Sequence, residues 1–138
     1  MTAIFVCTHG NAAEELIRSA EMICGTQKNT SFVPFEVGET PENLQSKIMQ
    51  EISNLNVEEG VLFLTDLKGG TPFNVLVTLL LNFSQTELVT GVNIPLLLEA
   101  FINRESLPLN VLANQIIEAG KQGVYQYVAP VDQMEDDF

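Results

Sequence analysis

The chain has 138 residues, enough for one domain to bury a core without disulfides or a structural metal. Eighteen acidic against six basic residues give a formal net charge of -12, which repels nucleic-acid backbones and anionic membrane surfaces and makes those partners improper expectations. No stretch approaches the roughly 20 apolar residues of a membrane span, and Met1 to Ala3 lacks the basic region of a signal peptide. The expectation is a soluble, cytoplasmic protein without direct membrane insertion. Cys7 and Cys24 lie in separate apolar runs without metal-ligand spacing and read as reduced, packed thiols.

Strand-like and helix-like segments alternate along the chain, as a parallel sheet with crossover helices requires. Residues 3–7 are a short apolar strand. Ala13, Leu16, Ile17, Ala20, Ile23 and Cys24 follow at helical spacing, and Gly25 is placed to end that helix in a left-handed conformation. Residues 31–37 read as a second strand, but Pro34 has no N–H to donate, so this strand belongs at a sheet edge. Thr40 and Pro41 look like an N-cap and first helical residue, with Leu44, Ile48, Ile52 and Leu55 forming the apolar stripe behind them.

Residues 61–64 are continuously apolar, as a central strand covered on both faces would be, and the run stops at Thr65 and Asp66. A turn through Gly69, Gly70, Thr71 and Pro72 opens a helix reaching about Asn82. A fourth strand is expected near 88–92 and a helix over 96–103. Another helix spans 109–119, with Gly120 as its stop, and a short last strand spans 124–128. The domain is expected over 1–128, and the acidic segment 129–138 has little to bury and reads as a loose tail.

With the edge strand second, the sheet order is 2-1-3-4: an open, doubly wound α/β sheet with helices on both faces. Ligands of such sheets bind outside the carboxyl ends of the strands, where the winding reverses. His9, after strand one, and Asp66, after strand three, would then face each other across one crevice. An aspartate accepting from imidazole Nδ1 fixes the tautomer and leaves the Nε2 lone pair free as a nucleophile, and phosphorus is the expected target. Thr71 as N-cap and Pro72 as first residue mark a helix start whose free N–H groups and dipole favour an anion. Gly70, Thr71 and Phe73 are the expected phosphate contacts, the glycines letting the backbone approach and the threonine hydroxyl donating. No acidic cluster with metal spacing lies nearby, so transfer without a metal or other cofactor is expected. Each residue alone also has a plain reading. His9 could be structural, Asp66 a turn or capping residue, Gly69 and Gly70 a simple turn, and Thr71 only a cap.

Three blocks together carry a resemblance: IFVCTHGNAA (4–13), GVLFLTDLKGGTPFN (60–74) and GVNIPLLLE (91–99). In order and spacing they resemble the enzyme IIA component of the mannose/fructose/sorbose-type sugar phosphotransferase system. The resemblance implies that His9 is phosphorylated on Nε2 by the histidine-containing phosphocarrier protein and donates to an enzyme IIB, with Asp66 on the other ring nitrogen. It also implies a homodimer in which an antiparallel C-terminal strand is exchanged, in keeping with 124–128 being too short to stand alone. The IIB partner is expected on a separate chain. Lys68 stands where some relatives carry an aromatic residue, which bears on the partner-facing rim. Two other readings are a phosphoryl carrier serving a dihydroxyacetone kinase and a regulatory binding module with a structural His9.

Overall fold

The computed structural model describes residues 1–131. Four parallel strands form one sheet in the order β2-β1-β3-β4: β1 (Ala3–His9), β2 (Thr30–Phe35), β3 (Val61–Thr65) and β4 (Thr86–Thr90). Five α-helices connect and cover them: α1 (Ala12–Cys24), α2 (Pro41–Ile52), α3 (Thr71–Leu79), α4 (Ile94–Asn103) and α5 (Leu109–Gln122). A 3-10 turn over Leu80–Asn82 extends α3.

Period-two alternation along β1 and β3 sends neighbouring side chains to opposite faces, so two cores form. Ile4, Val6, Leu62 and Leu64 pack under α1, α4 and α5, while Phe5, Phe63 and Val61 pack under α2 and α3. Every residue of β3 is buried, as its unbroken apolar run requires. Phe5 and Phe63 meet edge to face with centroids 6.0 Å apart, which fixes the centre of the second core.

The edge position of β2 follows from Pro34. Its register partner is Thr8 on β1, and its carbonyl accepts from Lys47 Nζ at 2.8 Å. Thr40 caps α2 as its position suggests, in a capping box with Asn43, and Pro41 opens the helix.

Several boundaries differ from the expectation. β1 runs two residues beyond Cys7 and carries His9 as its last residue. β4 is displaced toward the N-terminus, because Thr86 and Glu87 pair with Val61 and Leu62, and the chain turns at Gly91 with φ of 84°. α4 begins at Ile94, since the Asn93 side chain accepts from the Leu96 N–H. Gly25 does end α1, but its φ of 92° and ψ of 165° fall in a positive-φ region open to glycine and outside the left-handed helical well. Gly120 does not stop α5, which continues to Gln122. It is there because a Cβ would stand 3.3 Å from the Leu96 side chain, so the glycine lets α5 approach α4. Thr71 is not an N-cap: Gly70 holds that position and Thr71 is the first helical residue.

Residues 124–131 form no strand within the single chain, and Val124, Tyr125, Tyr127 and Val128 are exposed. The acidic cluster Glu135, Asp136 and Asp137 of the expected tail lies outside the described residues. Among those residues no helix is long and apolar enough to cross a membrane.

Candidate active site

β1 and β3 are neighbours whose chains leave toward opposite faces: α1 lies on one side of the sheet and α3 on the other. Their carboxyl ends therefore flank the crevice of the winding reversal. His9 closes β1 and Asp66 follows β3. The His9 backbone N–H donates to Asp66 Oδ2 at 3.1 Å, and the imidazole Nδ1 lies 2.9 Å from the same oxygen. A carboxylate only accepts, so Nδ1 carries the hydrogen and Nε2 presents its lone pair. The imidazole is 47% exposed, open enough to meet a second macromolecule.

The turn behind His9 is rigid for local reasons. Gly10 adopts φ of 59°, and its N–H donates to the Phe35 carbonyl at 2.8 Å. The buried Thr8 hydroxyl accepts from the Ala13 N–H at 2.7 Å, holding the start of α1 where the Asn11 side chain makes no cap bond.

Gly70 lies directly beside the ring. A Cβ built on it would stand 3.0 Å from His9 Cε1 and 3.5 Å from Nε2, so the absent side chain is what opens the space next to the lone pair. The first intrahelical bond of α3 runs from the Asn74 N–H to the Gly70 carbonyl. The N–H groups of Thr71 and Phe73 precede that bond and Pro72 has none, which leaves an electropositive helix start beside Nε2. Lys68 and Leu67 are exposed on the same rim.

Two buried oxygens here have no hydrogen-bond partner, Thr65 Oγ1 and Asp66 Oδ1. Beneath them, burial first and the Asp66 charge second push the Cys7 thiol up to about 12, so it stays protonated and is no competing nucleophile near neutral pH. Among the described residues no group of three or more His, Cys, Asp or Glu side chains is placed to hold a metal.

His9, Asp66 and Gly70 thus converge at one place, while Thr71 follows Gly70 as the first residue of α3 and Phe73 lies half-buried on the same turn. Phe35 and Lys47 were not singled out by sequence pattern. The Phe35 ring meets the imidazole edge-on at 5.8 Å, and the parallel register pairs it with His9. That register was the available signal, since both strands end at the same level; for Lys47 there was none.

The fold and site define a class: a small doubly wound α/β protein presenting one aspartate-oriented, solvent-facing histidine at the winding reversal, next to a glycine-opened helix start. Residues 3–117 match the family model described as "PTS system fructose IIA component". The chain belongs to this family of phosphotransferase-system enzyme IIA components. It is 39% identical over 123 residues to the mannose-specific EIIAB component of Escherichia coli, covering 88% of this chain but only 38% of that protein. It is 35% identical to the fructose-specific EIIA component of Bacillus subtilis, covering 88% of this chain and 84% of the relative. Among solved structures, the mannose/sorbose-specific IIA subunit from Enterococcus faecalis superposes with a TM-score of 0.85 at 26% identity, covering 94% of this chain and 97% of that one.

Proposed function

We propose that His9 carries a phosphoryl group on Nε2, accepting it in the cytoplasm from a histidine-containing phosphocarrier protein and passing it to an enzyme IIB during sugar uptake. The observation that carries this reading is the 2.9 Å contact between His9 Nδ1 and Asp66 Oδ2, which leaves Nε2 as the free ring nitrogen beside Gly70.

The Nε2 lone pair attacks phosphorus, a new N–P bond forms, and the donor's N–P bond breaks with its electron pair returning to the donor ring. Asp66 keeps the proton on Nδ1 and offsets the positive charge that builds on the imidazole. The phosphoryl oxygens meet the start of α3, where the Thr71 and Phe73 N–H groups and the Thr71 hydroxyl are donors and Gly70 leaves room. Transfer to the acceptor reverses the same steps.

Incubation with phosphoenolpyruvate, enzyme I and the phosphocarrier should add one acid-labile, base-stable phosphoryl group per chain. His9→Ala should abolish it, and label retained on that variant would show the nucleophile to be elsewhere.

The reading includes a homodimer. β2 and β4 are the sheet edges, and β4 is the edge without a proline. An antiparallel strand from 124–128 of a second chain would cover it. Those residues are exposed in the single chain, Val124 by 79% and Tyr125 by 77%. Deleting the chain from Val124 onward should give monomers or aggregates in sedimentation, and a stable dimer after that deletion would count against strand exchange.

A further inference from the structure

Asp66 holds the imidazole at one atom. The second torsion of a histidine side chain is broad, so a ring fixed at Nδ1 alone still rocks about that bond and Nε2 sweeps an arc. Phe35 supplies a second contact, its ring edge-on at 5.8 Å and 75° to the imidazole plane. Phe35 is the last residue of an edge strand, and the residue before it is a proline. A strand end with no neighbour on its outer side frays, and a frayed end would release the phenyl ring from His9.

The outer side is nevertheless occupied. Phe35 turns its own carbonyl inward, to the Gly10 N–H at 2.8 Å. The backbone groups flanking it, the Pro34 carbonyl and the Glu36 N–H, point outward and are taken by one side-chain pair. Lys47 Nζ, on α2, donates to the Pro34 carbonyl at 2.8 Å and to Glu39 Oε1 at 2.9 Å, and that oxygen accepts the Glu36 N–H at 2.7 Å. The Glu36 N–H first, and Lys47 second, hold the Glu39 carboxyl below its usual range, so it stays ionised at neutral pH.

We propose that Lys47, acting with Glu39, is a positioning residue for phosphoryl transfer. The pair stands in for the missing neighbouring strand, brackets Phe35 on both sides, and seats its ring so that His9 presents Nε2 to the start of α3. The inference rests on His9 being the phosphoryl carrier.

The test uses the full chain with Lys47→Met, which keeps the aliphatic stem, together with Glu39→Gln and Lys47→Arg. Proton and nitrogen NMR of the His9 ring reads its seating through the ring-current shift of Phe35, and rapid-mixing transfer from the phosphorylated phosphocarrier reads its consequence. Lys47→Met and Glu39→Gln should move the His9 ring-proton shifts toward those of a free histidine. They should slow transfer at saturating donor by about tenfold, while the donor concentration at half-maximal rate changes by less than about twofold. Lys47→Arg, which still donates to both oxygens, should recover most of the rate. Folded Lys47→Met and Glu39→Gln proteins with wild-type shifts and rate would overturn the proposal.

Should Lys47→Met fail to fold, Phe35→Leu leaves the Lys47–Glu39 pair in place but removes the ring it seats, so transfer must slow by a similar factor; a wild-type transfer rate there would equally refute it. If the wild-type protein takes no phosphoryl group on His9, the carrier reading falls, while the ring-proton shifts still decide whether the pair seats the imidazole.

Discussion

The two ends of the sheet treat buried polar groups in opposite ways. At the amino ends, Arg104 is only 3% exposed, yet its guanidinium reaches the carbonyls of Thr2, Lys28 and Asn29, the Thr30 hydroxyl at 3.0 Å and Gln27 Oε1 at 3.1 Å. It stacks over Phe101 as well, 5.6 Å from the ring centroid. At the carboxyl ends a histidine stands half in solvent, and Thr65 Oγ1 and Asp66 Oδ1 are buried without partners. A buried charge is tolerable where its donors find acceptors, and removing it strands those acceptors. Open hydrogen-bonding capacity is a cost, retained where incoming chemistry uses it. The amino ends thus carry a satisfied clasp, and the carboxyl ends an open polar site around a half-exposed histidine.

The sharpest test is Asp66→Asn. Asparagine fills the same space but presents an amide N–H to Nδ1, which moves the ring proton to Nε2 and removes the attacking lone pair. The transfer rate should fall by roughly 10²- to 10⁴-fold with the thermal midpoint changed by only a few degrees. A stable protein transferring at the wild-type rate would reduce Asp66 to a turn residue.

Gly70→Ala asks whether the space beside the ring matters. The backbone there, φ -74° and ψ 171°, suits any residue, so folding should be unaffected. The new Cβ would press on His9 Cε1 at 3.0 Å, and transfer should slow by about tenfold. Equal rates for alanine and glycine would show that nothing approaches Nε2 from that side.

Arg104→Met should give the mirror image. Leaving several buried acceptors without donors should cost on the order of 3 kcal/mol in denaturant unfolding. Transfer per folded molecule should stay within about twofold of wild type, because the carboxyl ends are untouched. A large loss of transfer in the folded variant would dissolve the distinction between the two ends.

Much of this was legible beforehand for reasons that particular residues make plain. Pro34 cannot donate into a ladder, so its strand had to lie at an edge, and with one edge named the order 2-1-3-4 follows. That order alone brings the ends of β1 and β3 together, so His9 and Asp66 could be paired while 57 residues apart. Local chemistry misled where a contact elsewhere overrides it. Gly120 has the residue type of a helix stop but serves close packing against Leu96. Thr71 has that of a cap, yet the extended Gly70 already fills that position.

The alternation of apolar runs, the edge proline and the polar residues at strand ends determined the architecture and the location of the site, because those signals are local and a parallel sheet admits few ways of joining them. Tertiary structure alone decided which oxygen of Asp66 meets Nδ1, how close Gly70 lies to the ring, and that Phe35, Lys47 and Glu39 form a second support behind His9. Those contacts depend on strand register and on side chains reaching between elements, and neither leaves a period or a spacing in the chain from which it could be read.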